Sequence, residues 1–366
     1  MSPREFLRLA RFFAALALKE RLFPALHVRP LVAELFLTDN CNLRCVSCAC
    51  WRATTLGELD TEAWKDVLRQ LVALPIHKVN VTGGEPLIRP DAVEIMRFAR
   101  DIGIRHIHLN TNAILLTPVK LDEVLEAGVR SFNISVDGPK PTHDRIRGRA
   151  GAFDRTVAHL RAVIARRDTY RLKIRMNFTV MRDNAASLPD IAALAQDLNV
   201  RLYLNLATDR TFLFRHADVS AQSAVAQDEL AAAVERVKTI ARADPRCLPR
   251  PADLDYVLRH FRDVVQKGVP CAESQIKLMI RSRGEIGGCW GHDPHLNVRD
   301  FPIARIVDEA TYRAEHARFF RKDCVGCGSN YSLNLRWRPS TYVTDALWRW
   351  GFASSPNAVG NPAGDR

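Results

Sequence analysis

Short apolar, β-branched runs alternate with amphipathic stretches between Leu31 and about Ala207. The apolar runs predict six strands, and the stretches between them carry apolar residues at helical spacing. The predicted strands are residues 32–37, 78–81, 106–110, 131–136, 173–180 and 201–205, and the predicted helices are residues 61–74, 91–102, 118–127, 153–167 and 186–198. Strands joined by helices of this length favour parallel crossovers. We therefore predict an α/β fold built on a partial (β/α)6 TIM barrel, with Thr61 as the N-cap of its first helix.

The pattern divides the rest of the chain into further units. Residues 1–30 predict a basic amphipathic helix, which we expect to pack across one end of the barrel or to contact anionic lipid or a partner. Residues 31–207 form the predicted barrel core, and residues 208–270 a helical linker with helices at 228–243 and 253–267. Residues 271–330 are a Gly- and Cys-rich subdomain, and residues 331–366 a tail whose Gly-, Pro- and Asn-rich end predicts fraying.

Composition narrows the class of protein. The chain has 366 residues, of which 47% are hydrophobic and 26% charged, as in an ordinary globular enzyme. Its net charge of +12 favours an anionic partner, although a solvated basic surface explains it equally well, and no nucleic-acid partner is expected. Nine cysteines in short spacings, without a secretory cleavage pattern, indicate metal ligation in a reducing, cytoplasmic compartment. No apolar run approaches the length of a membrane span.

Three cysteines follow the first predicted strand. Cys41, Cys45 and Cys48 have the spacing Cys-x3-Cys-x2-Cys. Cysteine thiolates hold iron–sulfur clusters, and a four-iron cubane is usually bound by four thiolates. Three cysteines would therefore leave one iron without a protein ligand. An open iron can bind a substrate or cosubstrate, as the free position of a catalytic zinc does. The alternatives are a zinc knuckle or three buried cysteines.

This triplet, on the loop after the first barrel strand, resembles the signature of the radical S-adenosylmethionine (SAM) superfamily. The resemblance implies that the three cysteines bind a [4Fe–4S] cluster and that SAM chelates its fourth iron. An electron from a donor such as flavodoxin or ferredoxin would then cleave SAM to methionine and a 5′-deoxyadenosyl radical. The family usually has an aromatic residue before the third cysteine, where this chain has Ser47, so Trp51 is expected to cover the cluster.

Further motifs follow the other strands, where barrels place their chemistry. Gly83, Gly84, Glu85 and Pro86 follow the second strand and resemble the family motif that holds the SAM amino group, although a strand-to-helix turn is the plain alternative. By the same resemblance, Asn112, Ser135 and Asp137 suit the ribose hydroxyls, Arg147 the SAM carboxylate, and Asn177 and Leu204 the ribose and adenine. For Asn177 and Leu204, a core or strand-end role is equally well supported.

Four more cysteines form two pairs. Cys271, Cys289, Cys324 and Cys327 make a complete tetrahedral set, for which a structural zinc site is the alternative. Their pattern resembles the twitch subdomain, a shortened SPASM domain that carries one auxiliary [4Fe–4S] cluster. Four ligands leave no open iron, so this cluster would transfer electrons or hold the fold.

Cys50 and Cys247 remain, and they bear on the reaction. If Cys247 donates a hydrogen atom to a substrate radical, the outcome is epimerisation, which we expect on a carbohydrate or another small-molecule natural product. If the auxiliary cluster takes an electron while a base removes a proton, the outcome is dehydrogenation. Cys247 as a small buried apolar residue is the plain alternative.

Two other hypotheses stay open. Peptide modification ranks third, because 31 residues before the first strand cannot hold the N-terminal recognition domain of many peptide-modifying relatives. A noncatalytic iron–sulfur or zinc scaffold would keep the cysteines but would not need the Gly-Gly-Glu-Pro motif or Arg147.

Overall fold

The computed structural model describes residues 3–23, 26–74, 76–207, 221–262, 273–289, 296–310 and 312–314. Helix α1 (Pro3–Arg21) belongs to one compact unit, and the other described helices and strands belong to a second. The N-terminal segment is therefore helical, and its contact with the barrel or with lipid stays a prediction. In the described ranges, no helix is long and apolar enough to cross a bilayer.

The second unit is built on one sheet of nine strands, whose order is β6-β5-β4-β3-β2-β1-β7-β8-β9. The strands are β1 (Val32–Thr38), β2 (Lys78–Gly83), β3 (Ile107–Thr111), β4 (Val129–Ser135), β5 (Lys173–Val180), β6 (Arg201–Leu206), β7 (Lys277–Ile280), β8 (Glu285–Gly287) and β9 (Leu296–Asn297). The pairs from β6 through β1 to β7 are parallel, and β7, β8 and β9 pair antiparallel. This arrangement confirms the predicted α/β fold and its parallel sheet.

Helices connect the parallel strands, and the last helix follows β9. They are α2 (Thr61–Ala73), α3 (Ala92–Asp101), α4 (Pro118–Glu126), α5 (Lys140–Arg147), α6 (Ala152–Ala165), α7 (Arg167–Tyr170), α8 (Leu188–Asp197), α9 (Gln227–Ala243), α10 (Pro251–Arg262), α11 (Glu273–Ile276) and α12 (Ile303–Asp308). The predicted N-cap Thr61 is wrong by one residue. Asp60 is the cap, because its extended backbone lets its carboxylate accept from Ala63 N at 2.9 Å. Thr61 instead donates its hydroxyl to Asp91 at 2.7 Å.

The seventh parallel strand was not predicted. β7 lies beside β1, with Val32 opposite Lys277, on the side away from β2. The segment predicted as a separate auxiliary subdomain thus contributes β7, β8 and β9 to the barrel sheet, while Cys271, Cys324 and Cys327 lie outside the described residues.

The two faces of the parallel strands differ in chemistry. The face that carries Leu35, Val81, Leu109 and Phe178 packs with helix residues such as Trp64 in the main hydrophobic core. The opposite face, here called the polar face, carries Glu34, Lys78, Asn80, His108, Asn110, Ser131, Asn133, Arg175, Asn177, Tyr203, Asn205 and Lys277. Side chains alternate along a strand, so apolar residues point to one face and polar residues to the other. The polar face therefore offers groups that can bind polar ligands.

Candidate functional site

The cysteine loop leaves β1 at Thr38 and is held at its base by a carboxylate. Glu58 accepts from Thr38 Oγ1 at 2.9 Å and from the backbone N–H of Asp39 at 2.7 Å. Cys41, Cys45 and Cys48 then pack in one cluster with Leu43, Ile114 and Ala152. The triplet predicted as a ligand set is therefore brought together at the carboxyl end of β1. Glu58 has no local motif in the sequence that identifies it.

Arg89 fixes the same base from the other side. Its Nη1 donates to the carbonyl oxygens of Leu37 and Leu59, each at 2.9 Å, and its Nη2 lies 2.6 Å from Asp91 Oδ2. Only 13% of the Arg89 side chain is exposed. Burial of its charge is tolerated because its N–H donors are satisfied by these oxygen atoms. The sequence analysis did not identify Arg89, because its partners Leu37 and Leu59 are distant in sequence.

Gly83 and Gly84 are required for close packing of two loops. A Cβ on Gly83 would lie 2.2 Å from the carbonyl oxygen of Thr38, and a Cβ on Gly84 would lie 1.9 Å from that of Asn40. The backbone N–H of Gly84 donates to Thr38 O at 2.8 Å, and that of Glu85 donates to Asn40 O at 2.9 Å. The Gly-Gly-Glu-Pro motif therefore lies directly against the base of the cysteine loop.

The Glu85 carboxylate is fully buried and already bonded to protein groups. It accepts from Asn112 N at 2.7 Å, from Thr111 Oγ1 at 2.8 Å and from Leu87 N at 3.2 Å. Burial raises its pKa to about 7, although these hydrogen bonds oppose the shift. The side chain therefore ties the loop after β2 to the loop after β3. Pro86 begins the short 3-10 turn Pro86–Ile88 that follows.

Asn112 connects the loop after β3 to the cysteines. Its Nδ2 donates to Asn42 Oδ1 at 2.8 Å and lies 3.8 Å from Cys41 Sγ. Its Oδ1 accepts from Ile114 N at 3.0 Å, which fixes the side-chain orientation. A residue predicted to contact the ribose thus also supports the cysteine loop.

Arg147 lies between the cysteine loop and the loop after β4. Its Nη2 is 2.6 Å from Asp137 Oδ2, and its Nη1 is 3.8 Å from Cys45 Sγ. Its Nε is buried and has no partner among the described residues. Burial opposes the charge, but Asp137 and Cys45 outweigh it and raise the pKa of Arg147. Asp137 Oδ1 also accepts from Thr179 N at 3.0 Å.

Helix α5 positions Arg147 through its last turn. The helix ends at Gly148, which has a left-handed φ of 62°. A Cβ there would lie 2.5 Å from the carbonyl oxygen of Arg44, so only glycine allows this approach. Next to it, Val46 N donates to Ile146 O at 2.9 Å. The end of α5 is thus bonded directly to the cysteine loop.

The remaining predicted SAM contacts divide into two groups. Ser135 ends β4 and is paired in register with Asn177 on β5, so both lie at the carboxyl edge of the sheet. Asn177 Oδ1 accepts from Asn205 Nδ2 at 3.0 Å. Leu204 does not fit the predicted site, because it lies within β6 and its side chain belongs to the main hydrophobic core.

Cys247 lies at the other end of the barrel. Its carbonyl oxygen accepts from Leu202 N at 2.6 Å, and its Sγ lies 3.4 Å from Asn199 Oδ1, both near the start of β6. Barrel chemistry occurs at the carboxyl ends of the strands. The position therefore gives no support to Cys247 as a hydrogen donor. Cys289, the one described member of the second cysteine set, is buried just after β8.

Two of the three thiols, those of Cys41 and Cys45, are costly to ionise without a cation. Burial and the neighbouring Cys45 raise the pKa of Cys41 to about 12, and burial raises that of Cys45 to about 11 despite Arg147. The hydrogen bond from Cys50 lowers the pKa of Cys48 to about 7. Bound metal deprotonates thiols and compensates their charge.

These residues fit a cluster with one open iron. The site offers three soft ligands on one loop, and Arg147 beside them retains one unpaired buried donor. Within the described ranges, no three His, Cys, Asp or Glu side chains stand ready to hold a single metal ion.

Comparisons with known proteins agree with this geometry. Residues 35–208 match the radical SAM superfamily. An AdoMet-dependent heme synthase from Methanosarcina barkeri is 36% identical over 170 residues, which cover 46% of this chain and 47% of the relative. A PqqA peptide cyclase from Gluconobacter oxydans is 36% identical over 171 residues, which cover 46% of each chain. The match spans about half the length of these curated relatives.

A solved structure extends the likeness of the fold. SuiB from Streptococcus suis, bound to S-adenosylmethionine, superposes with a TM-score of 0.62 at 16% identity. The superposition covers 86% of this chain and 73% of SuiB. At this identity the likeness concerns the fold.

Proposed function

We propose that this chain, which belongs to the radical SAM superfamily through residues 35–208, cleaves SAM and uses the radical to abstract hydrogen from an unactivated C–H bond. The superfamily uses a [4Fe–4S] cluster and SAM. When bound here, the cluster would supply the electron for that cleavage. A donor such as flavodoxin or ferredoxin would re-reduce the protein.

The contacts between loops support this proposal most directly. Asn112 Nδ2 lies 3.8 Å from Cys41 Sγ, and Arg147 Nη1 lies 3.8 Å from Cys45 Sγ. Loops after three different strands therefore meet around the cysteines. A structural metal site needs only its ligands. A site that positions a cosubstrate on an open iron needs side chains from several loops around the cluster, as found here.

Each group has a task in this site. Cys41, Cys45 and Cys48 would hold the cluster, and Arg147, with its unpaired Nε, would bind the SAM carboxylate. Asp137 holds Arg147 in position through the 2.6 Å ion pair. Ser135 and Asn177, at the carboxyl edge of the sheet, would contact the ribose. The two glycines allow the loops after β1 and β2 to pack closely, and Glu85 ties the loop after β2 to the loop after β3.

We infer an oxidative outcome for the substrate radical. A radical that loses an electron to an auxiliary cluster and a proton to a base yields a product with two fewer hydrogens. The second cysteine set, of which Cys289 is buried after β8, would hold that cluster. Epimerisation of a carbohydrate is the weaker hypothesis, because Cys247 lies near the start of β6.

A peptide substrate is the second candidate. It is supported by the PqqA peptide cyclase, which is 36% identical over 171 residues. An AdoMet-dependent heme synthase matches with the same identity, 36% over 170 residues, so the degree of identity alone does not select the substrate.

Electron paramagnetic resonance tests the proposed site without a known substrate. SAM added to the reduced, reconstituted protein is expected to change the cluster spectrum, because SAM would coordinate the open iron. Cys45→Ala should abolish this signal, and Cys247→Ala should leave it intact. An unchanged spectrum at saturating SAM would contradict the proposal.

A further inference from the structure

The polar face carries positive charge that the described residues do not fully neutralise. Its one carboxylate, Glu34, is taken by Lys277, whose Nζ lies 2.5 Å from Glu34 Oε2. Lys78 and Arg175 remain, and neither has a hydrogen bond or salt bridge among the described residues. The guanidinium of Arg175 lies over the Tyr203 ring, with its carbon 5.1 Å from the ring centroid. This stacking orients the group and leaves its N–H donors free.

The two cations act on one another across this face. Burial and the nearby Arg175 together lower the pKa of Lys78 to about 7, although Glu34 opposes the shift. Burial, Lys78 and Arg175 all lower the pKa of His108, which is therefore neutral at pH 7. Glu34, His108, Arg175, Tyr203 and Lys277 share this surface with Lys78, and the strand register places Lys173 and Arg201 on the same side of the sheet. An anion placed among them would relieve the repulsion.

Two neighbouring side-chain amides also lack hydrogen-bond partners among the described residues. Asn80, which is 95% buried, and Asn133, which is paired in register with Arg175, each have a buried Oδ1 without a partner in the described part of the chain. Buried polar atoms in folded proteins are nearly always paired. Other groups on this face are satisfied, since His108 contacts Ser131 at 2.8 Å and Asn110 at 3.2 Å. The unsatisfied amides therefore flank the unsatisfied cations.

The polar face lies below the candidate SAM site in the barrel. Arg175 precedes Asn177 by two residues, so it lies about 7 Å below the carboxyl edge at which Ser135 and Asn177 are paired. The cations therefore lie deeper in the barrel than the residues proposed to contact SAM.

From this arrangement we propose that Lys78 and Arg175 bind an anionic group, a carboxylate or a phosphate, of the substrate inside the barrel. The inference rests on the proposed function for its substrate, but the binding of anions does not depend on SAM cleavage. Arg175 supplies a planar, preoriented pair of donors, and Lys78 supplies a point charge. Asn80 and Asn133 would pair with hydrogen-bond donors carried by the same ligand.

Lysine labelling measures the binding directly. The reconstituted full chain is treated with N-hydroxysuccinimidyl acetate at pH 7.5, and acetylation of Lys78 is followed by peptide mass spectrometry. Sodium phosphate, sodium succinate and sodium chloride are compared at equal ionic strength. A bound anion raises the pKa of Lys78 from about 7 towards that of an ordinary lysine, so its labelling should slow about tenfold or more. Exposed Lys140 serves as the internal reference.

The variants locate the effect. Arg175→Gln should remove the protection, measured as the ratio of rates with and without the anion, while Arg175→Lys should keep most of it. Arg161→Gln, an exposed arginine on α6, is the matched control for loss of charge and should keep all of it. Protection by phosphate alone indicates a phosphoryl substrate, and protection by succinate alone indicates a carboxylate.

Two outcomes would overturn the inference. One is labelling of Lys78 that neither anion slows, and the other is protection that survives in Arg175→Gln. Formation of 5′-deoxyadenosine by the same preparation is assayed separately. A preparation that cleaves SAM but binds no anion contradicts the anion site alone, and one that binds anions without cleaving SAM contradicts the proposed function alone.

Discussion

The Nη2 atom of Arg147 lies 2.6 Å from Asp137 Oδ2, and this ion pair is almost completely buried at the edge of the cysteine loop. The same guanidinium approaches Cys45 with its other nitrogen. One side chain thus connects α5, the loop after β4 and the predicted cluster ligands. A buried charge pair is stable only when its remaining donors are also used. The unpaired Nε of Arg147 is therefore a donor that a bound ligand would satisfy.

Replacement of Arg147 tests this arrangement. Arg147→Lys cannot contact Asp137 and a bound carboxylate with one planar group, so we expect SAM affinity to fall roughly tenfold or more. A SAM titration followed by the cluster spectrum measures it. Arg145→Lys is the control, because Arg145 lies on the same helix and only donates to the carbonyl oxygen of Asp183. Equal affinities in the two variants would contradict the role of Arg147.

Glu85 should contribute mainly to stability. Glu85→Ala leaves the N–H groups of Asn112 and Leu87 and the hydroxyl of Thr111 without their acceptor, which costs about 2–4 kcal/mol. Thermal unfolding under anaerobic conditions measures the loss. Glu94→Ala removes an exposed partner of Lys65 and should change stability by less than about 1 kcal/mol. A Glu85 variant as stable as the Glu94 variant would show that the three donors find water instead.

Gly84→Ala tests the contact between the loops. The new Cβ would collide with the carbonyl oxygen of Asn40, so the base of the cysteine loop must move. We expect iron content after anaerobic reconstitution to fall by half or more. Gly103→Ala, where a Cβ meets no atom within 4 Å but φ is +103°, isolates the cost of backbone strain. It should retain full iron content even if its unfolding temperature drops.

Lys78 predicts a specific dependence of stability on pH. Its pKa is about 7 in the folded protein and 10.5 ordinarily, so between these values the unfolded chain holds a proton that the folded chain lacks. Stability from this group therefore rises as the pH increases from 7 to 10.5. Lys78→Met should stabilise the protein by roughly 2 kcal/mol at pH 6.5 and progressively less toward pH 10.

Unfolding temperatures at pH 6.5 and pH 9.5 test this difference. The exposed Lys140→Met variant should shift by less than about 1 kcal/mol at both values. A Lys78→Met variant whose effect does not change with pH would show that the lysine is charged throughout and hydrated in the barrel.

Local patterns in the sequence predict the barrel well. The six predicted strands agree with β1 to β6 to within one or two residues, because each combines an apolar run with turn residues at both ends. Their parallel pairing follows from the helices between them. β7 escaped prediction because four residues, Lys277 to Ile280, carry too little periodic signal.

Local sequence patterns could not predict contacts between residues that lie on different elements of the fold. Asp137 and Arg147 were expected to contact SAM separately, but α5 folds back and pairs them. Cys247 was placed near the active site by its position in a joint, whereas the return of the chain from α9 brings it to the start of β6. The polar face did leave a signal, since Arg175, Asn177, Tyr203 and Asn205 alternate with apolar residues in their strands.

Formation of 5′-deoxyadenosine tests the central claim most directly. The protein is reconstituted anaerobically with iron and sulfide, reduced, and incubated with SAM, and the products are separated by liquid chromatography. We predict 5′-deoxyadenosine and methionine in equal amounts, with no product from Cys45→Ala and undiminished product from Cys247→Ala. A protein that binds about four irons at Cys41, Cys45 and Cys48 yet never cleaves SAM would contradict the account.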